Sequence, residues 1–164
     1  GARSWEYDVK APGYKYNLPD TASALGLVQL ERAAEMLEKR KRIAAAYNEA
    51  FSDYDGLILP PSSEENSWHL YMLRINEKYL SLTRDQMMEK LAELGIAASM
   101  HYKPLHLMSY YKNKYGLKPG DFPESLNKYK TSFSIPIYPD LTDNEISRII
   151  NSIRKISDQY GRSG

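Results

Sequence analysis

One stretch of the chain decides its fold: Trp68-His69-Leu70-Tyr71-Met72-Leu73-Arg74-Ile75. Aromatic and aliphatic side chains fill this stretch almost without interruption, and such residues favour a β-strand. Turn-forming residues precede it, with Pro60-Pro61 and Ser62-Ser63 close together in the sequence. We therefore predict a strand that occupies a central position in its sheet.

Two helices with clear start signals are predicted C-terminal to this strand. Thr83 is a favourable N-cap, and Gly95 ends the first helix at the C′ position. Thr142 and Glu145 form a capping box that starts the second helix. Apolar residues at helical spacing define the buried faces of both helices: Met87, Met88, Leu91, Leu94, Ile146, Ile149, Ile150, Ile153 and Ile156.

Two more strands complete the predicted sheet, at Ile96–Met100 and Phe133–Ile137. Between them, residues 101–115 form an aromatic loop or short helix, and residues 122–129 form another short helix. This order of elements predicts an α/β chain, more strictly an α+β small domain. Its small, mostly antiparallel sheet has about three strands and is covered by helices.

An extended arm and a long helix are predicted before the sheet. Residues 1–20 contain prolines and four aromatic residues without a helical period. From Asp20 or Thr21, either of which is a good N-cap, apolar residues recur at helical spacing as far as Phe51. This predicts one helix about 45 Å long. Its charged middle, residues 38–42, is predicted to be a solvated face and not a phosphate contact.

Composition excludes several classes of protein. The 164 residues include 22 Lys and Arg against 21 Asp and Glu, so no global field attracts nucleic acid or an acidic membrane. The absence of cysteine excludes disulfides, thiolate metal sites and cysteine nucleophiles. No apolar run reaches the roughly 20 residues of a membrane span, and a cytoplasmic location is expected. The chain begins with Gly1 and not with Met, so we expect it to be part of a longer protein.

The histidines are the main candidates for chemistry. His101 and His106 lack a third ligand nearby in sequence, so we expect no metal site. His69, beside Trp68, is predicted to be an interior histidine with a satisfied ring. The segment from His101 to His106 follows a predicted strand, where ligand-contacting loops are common, and both a binding role and a structural role remain open.

A series of motifs along the chain resembles one enzyme family. In order, they are Pro12-Gly13-Tyr14-Lys15-Tyr16-Asn17-Leu18, Ala22-Ser23-Ala24-Leu25-Gly26, Gln29-Leu30, Arg40, Arg42-Ile43-Ala44, Tyr47, Trp68-His69-Leu70-Tyr71, Gly95-Ile96, His101-Tyr102-Lys103-Pro104-Leu105-His106, Ser134-Ile135-Pro136-Ile137-Tyr138-Pro139, and Leu141-Thr142. Together they are similar to the DegT-type nucleotide-sugar aminotransferases. These are pyridoxal-phosphate enzymes of the aspartate aminotransferase fold type, and the likeness covers nearly the whole chain.

The resemblance implies that this chain is the C-terminal part of such an enzyme. Residues 1–20 would be the arm leaving the cofactor domain, residues 21–51 the interdomain helix, and residues 52–164 the small domain. The resemblance also implies a homodimer with shared active sites. The Schiff-base lysine of the family lies upstream, so no catalytic residue is expected here, and the isolated chain is expected to be inactive.

Two sets of site residues are implied by the resemblance. Asn17, with Lys15 beside it, is expected to bind the phosphate of pyridoxal phosphate in the partner subunit. Five residues are expected to contact the nucleotide sugar: Tyr14, Tyr16, His101, Tyr102 and His106. Amide and aromatic groups on an ordered arm suit a site that two subunits share.

The activity implied is transfer of an amino group from glutamate to a nucleotide-linked keto sugar, in amino-sugar and cell-surface polysaccharide biosynthesis. One alternative is a deoxysugar dehydratase, in which a histidine replaces the upstream lysine. Others are a non-enzymatic domain that binds a sugar nucleotide, or an interaction domain whose long helix pairs with another chain. The enzyme hypothesis predicts that the aromatic arm, from Trp5 to Leu18, and one face of the helix are uncovered in this chain.

Overall fold

The computed structural model describes residues 6–162, so Trp5 of the predicted arm lies outside the described residues. Residues 6–19 form no helix or strand. The elements that follow are α1 (Asp20–Glu31), α2 (Ala33–Phe51), β1 (Leu57–Ile58), β2 (Tyr71–Ile75), α3 (Arg84–Glu93), α4 (Ser109–Tyr115), α5 (Pro123–Thr131), β3 (Ser132–Ile135) and α6 (Asp143–Gln159). Short 3₁₀ turns lie at Leu105–Leu107 and Pro119–Asp121. No helix in the described part of the chain is long and apolar enough to cross a membrane.

The sheet has three antiparallel strands in the order β1-β2-β3. Tyr71 lies opposite Ile135, and Leu73 lies opposite Phe133. The central strand predicted at Trp68–Ile75 is confirmed, although it begins at Tyr71. Trp68 has a positive φ of 48° and donates its backbone N–H to Asn66 Oδ1, so a turn occupies the first residues of the predicted stretch.

The two faces of β2 differ in burial, because one faces the hydrophobic core and the other faces a surface cleft. Tyr71, Leu73 and Ile75 are buried, whereas Met72 and Arg74 lie on the other face and line a cleft. The core is made by buried side chains of the sheet and of the helices α2, α3 and α6: Ile43, Tyr47, Phe51, Tyr71, Leu73, Met87, Met88, Leu91, Phe133 and Ile153. The predicted α+β class, with a small antiparallel sheet covered by helices, is therefore confirmed.

The prediction of one helix from residue 20 or 21 to Phe51 is wrong. The backbone N–H of Arg32 bonds to the carbonyl of Gln29, which tightens the last turn of α1, and α2 starts afresh at Ala33. The N-cap position is Pro19, which has no side-chain bond, so neither predicted cap acts as one. α1 buries no residue, whereas α2 buries several, so the two helices differ in how they pack on the domain.

The strand predicted at Ile96–Met100 is also wrong. Only Ser99 pairs with the sheet, exchanging both backbone hydrogen bonds with Ser134 at 3.0 and 2.7 Å. The apolar character of this stretch reflects burial of Ile96 and Met100, and not strand pairing. The capping box at Thr142, the N-cap at Thr83 and the left-handed Gly95 after α3 are confirmed, and the structure adds a capping box between Thr83 and Gln86.

Candidate functional site

His101 lies two residues after Ser99, which forms an isolated β-bridge with Ser134 of β3. Its Nδ1 is 2.9 Å from Ser134 Oγ, and its ring meets the Tyr102 ring edge to face at 4.8 Å between centroids. Because Nδ1 faces Ser134, Nε2 is the ring atom left for a ligand. Tyr102 is 61% exposed and adds a phenol beside it.

The charge state of His101 is set by its surroundings. Burial lowers the pKa of the imidazole below its ordinary value, and repulsion from His69 lowers the pKa further. The ring is therefore neutral at neutral pH, when it carries one donor and one acceptor nitrogen.

Two clefts of ligand size flank His101. The first has a volume of about 430 Å³, with an apolar floor that includes Ile135 and Leu141 and a polar rim that includes Glu145 and Arg148. The second has a volume of about 630 Å³. Its polar lining consists mainly of these residues: Arg74, Tyr102, Glu124, Lys128 and Tyr129. Small-molecule sites have volumes of this order.

The interior position predicted for His69 is wrong. His69 is exposed and lines the first cleft, because β2 begins only at Tyr71 and leaves His69 in the preceding turn. The interior histidine is instead His106, which is 5% exposed and packs against the ring of Phe122 at 5.0 Å. Its Nε2 has no hydrogen-bond partner among residues 6–162. Nor do the histidines and carboxylates of this described region form a group of three that could hold a metal ion.

Arg40 is a residue that sequence analysis assigned to a solvated face. Its Nη1 donates to the carbonyl oxygens of Trp68, His69 and Ile137 at 3.3, 3.4 and 3.0 Å. Arg40 thus fixes the turn that carries His69 and the chain that follows β3. Its neighbours fit the prediction better, since Lys39 and Lys41 pair with glutamates on the surface of α2.

The arm residues predicted for the site are exposed to solvent. Tyr14 and Tyr16 are 87% and 85% exposed, and Lys15 and Asn17 are exposed as well. The ring contacts of Tyr102 are with Tyr7 and His101, so the arm reaches this segment through its earlier residues. The ammonium of Lys15 and the amide of Asn17 are donors, and such donors fit a phosphate group.

The family of the chain follows from comparison with known proteins. Residues 1–154 match the model described as the DegT/DnrJ/EryC1/StrS aminotransferase family. This chain belongs to that family. The predicted resemblance is thereby confirmed.

Relatives of this aminotransferase-family chain are similar over nearly its whole length. The spore coat polysaccharide biosynthesis protein SpsC of Bacillus subtilis is 40% identical over 156 residues, which are 93% of this chain and 40% of that protein. The putative sugar aminotransferase Spr1654 of Streptococcus pneumoniae, in its PLP form, is 34% identical with a TM-score of 0.79, over 95% of this chain and 40% of that one.

A third relative is PseC of Helicobacter pylori, an aminotransferase involved in the biosynthesis of pseudoaminic acid. It is 27% identical with a TM-score of 0.80, over 96% of this chain and 42% of that one. The chain thus spans about two fifths of the length of the curated relatives it matches.

Proposed function

We propose that the whole protein is a PLP-dependent aminotransferase that transfers an amino group from glutamate to a nucleotide-linked keto sugar. In this proposal residues 1–20 are the arm, residues 21–51 connect the domains, and residues 52–164 are the C-terminal small domain. The observation that carries the proposal is the position of His101, a neutral imidazole between two ligand-sized clefts in a chain of this family.

The cofactor would meet this chain at the arm. Lys15 would supply positive charge, and Asn17 an amide N–H, to the phosphate group of the cofactor. When bound, PLP supplies the electron sink that lets an amino group pass between two carbonyl compounds.

The sugar nucleotide would meet the chain at residues 101–106, which we call the wall segment. His101 Nε2 and the Tyr102 hydroxyl would bond the hydroxyl groups of the sugar. The second cleft carries two cations, Arg74 and Lys128, against one carboxylate, Glu124, and a cleft of that charge suits a diphosphate. His106 is buried below this surface, so its role would be to support the wall segment.

The surface of α1 supports a homodimer with shared active sites. Four of its apolar side chains are between 56% and 70% exposed: Leu25, Leu27, Val28 and Leu30. Because apolar residues surround the whole helix, it needs cover on more than one side. The cofactor domain of the same protein and a second copy would together provide that cover.

The test uses the full-length protein with glutamate and a nucleotide-linked 4-keto sugar. We expect 2-oxoglutarate and an amino sugar in equal amounts, whereas a deoxysugar without nitrogen would indicate the dehydratase alternative. In His101→Ala, KM for the nucleotide sugar should rise while the cofactor stays bound. Equal loss of sugar use and of cofactor retention would contradict the position given to His101. Lys39→Ala, on the surface of α2, is the control.

A further inference from the structure

The arm is fastened to α4 by a group of hydrogen bonds. Asp8 Oδ1 accepts the backbone N–H of Ser109 at 2.8 Å, and Asp8 Oδ2 accepts the hydroxyl of Ser109. The carbonyl oxygen of Val9 accepts the backbone N–H of Tyr110 at 2.7 Å. We call these four residues the arm clasp.

The clasp supplies hydrogen-bond acceptors for the first N–H groups of α4, which have no capping side chain at Met108. The first N–H groups of a helix have no partner within the helix, and they need acceptors from elsewhere. The N-cap of α4 is Met108, which has no side-chain cap bond. Asp8 and Val9 therefore act as the cap of α4, although they lie about a hundred residues earlier in the chain.

The arm residue directly before the clasp touches the wall segment. The ring of Tyr7, directly before Asp8, meets the ring of Tyr102 edge to face at 6.4 Å between centroids. Lys103 attracts the Asp8 carboxylate. The bonds from Ser109, and secondarily this attraction, keep the pKa of Asp8 below its ordinary value, so the acceptor is ionised at neutral pH.

The wall segment is anchored differently at its two ends. At its start, Ser99 is paired to the sheet through Ser134. At its far end, the chain passes through the 3₁₀ turn Leu105–Leu107 into α4, whose first turn is held by the clasp. Buried His106 and Met108 also hold this far end, so release of the clasp would loosen the first turn of α4 and remove the support that the arm gives Tyr102 through Tyr7.

We propose that Asp8 is a positioning residue of the active site, which joins the arm to α4 and thereby holds Tyr102 in place for the sugar nucleotide. This inference rests on the proposed function. Asp8 itself touches no substrate. It affects binding of the nucleotide sugar because it fixes the position of the arm relative to the wall segment.

The experiment compares variants of the full-length enzyme. Asp8→Ala removes both acceptors. Asp8→Asn keeps an oxygen for the Ser109 N–H and gains an NH₂ that can donate to the Ser109 hydroxyl. Glu64→Ala removes the same charge from an exposed turn before β2 and is the matched control.

Two readouts are needed. Amide hydrogen exchange should be faster at Ser109 and Tyr110 in Asp8→Ala than in the unaltered protein. If the clasped state then occupies about a fifth of the molecules, KM for the nucleotide sugar should rise about fivefold. Cofactor content and kcat should stay unchanged, and Asp8→Asn should restore KM.

Each contrary result has a separate meaning. Unchanged amide exchange in Asp8→Ala would show that Asp8 does not hold α4, and this would overturn the inference. Faster exchange with an unchanged KM would reduce the clasp to a purely structural role, which also overturns it. If the unaltered protein has no aminotransferase activity, the proposed function fails and takes the positioning role with it, whereas the exchange pattern still reports the clasp.

Discussion

Arg40 Nη1 donates to the carbonyl oxygen of Ile137 at 3.0 Å, although 97 residues separate the two in the sequence. The same nitrogen reaches the carbonyls of Trp68 and His69. One guanidinium on α2 thus fixes two chain segments that border the cleft beside His101.

Replacement of Arg40 by methionine should destabilise the fold. The three carbonyls lose a charged donor in a partly buried place, and we expect a loss of about 1–3 kcal/mol in the free energy of unfolding. Urea denaturation measures the loss. Lys39→Met is the matched control, because Lys39 forms a surface pair with Glu35, and its cost should stay below about 0.5 kcal/mol. Equal costs for the two variants would contradict the role of Arg40.

The caps of two helices should respond differently to the same substitution. Thr142 Oγ1 accepts from the Glu145 backbone N–H, and Thr142→Ala should cost about 0.5–2 kcal/mol. Thr21 lies within α1 and caps nothing, so Thr21→Ala should stay within about 0.5 kcal/mol of the unaltered protein. Thermal unfolding of both variants compares them, and a larger loss from Thr21→Ala would mean that Thr21 is the N-cap and that α1 starts two residues later, at Ala22.

Tyr47 should contribute stability through its hydroxyl group. Its Oη donates to the carbonyl oxygen of Pro136 at 2.8 Å, and burial raises the pKa of the phenol. Tyr47→Phe leaves that carbonyl without its donor and should cost about 1–3 kcal/mol by urea denaturation. Tyr14→Phe, at an exposed position of the arm, should cost nothing measurable. A silent Tyr47→Phe would show that the Pro136 carbonyl finds another partner.

Stability should fall as the pH drops through the range in which an unfolded histidine titrates. Because the pKa of His101 is lowered in the fold, the unfolded state takes up a proton first, at a pKa of about 6.5. The free energy of unfolding should therefore decrease below about pH 6.5 and level off below the folded pKa. His101→Gln should remove this dependence. NMR titration of the imidazole checks the direction, and an unchanged or raised pKa would contradict it.

The sequence was sufficient to predict those helices and strands whose start, end or apolar pattern is determined by residues within the element or next to it. The capping residues Thr83 and Thr142 and the left-handed Gly95 fixed the limits of α3 and α6, since each signal lies within a few residues of the element it controls. The central strand was predicted because aromatic and aliphatic residues cluster at Tyr71–Ile75.

The errors have a common physical reason, which is that the deciding partner lies far away in sequence. β1 is a two-residue edge strand that exists through its pairing with β2, so a stretch rich in turn residues concealed it. The apolar residues of Ile96–Met100 reflect burial, which a strand and a loop can share. The end of α1 at Arg32 depends on packing that α2 has and α1 lacks.

The candidate site divides in the same way. His101 and Tyr102 were identified because a motif carries them, and the structure adds the pairing of His101 with Ser134. The contacts of Arg40 were missed because its position in a run of charged residues does not disclose three distant carbonyls. Asp8 was missed because its partner, Ser109, is 101 residues away.

The turn at Arg32 divides the chain into two regions with different local stability. C-terminal to it, α2 shares its buried residues with the sheet and α6, so its amides should open only when the whole domain unfolds. N-terminal to it, α1 has no buried residue, so its hydrogen bonds should open at a small fraction of that free energy. The free energy of opening of the α1 amides thus depends on whatever packs against this helix. Hydrogen exchange along residues 20–31 would therefore measure directly whether another domain or subunit covers α1.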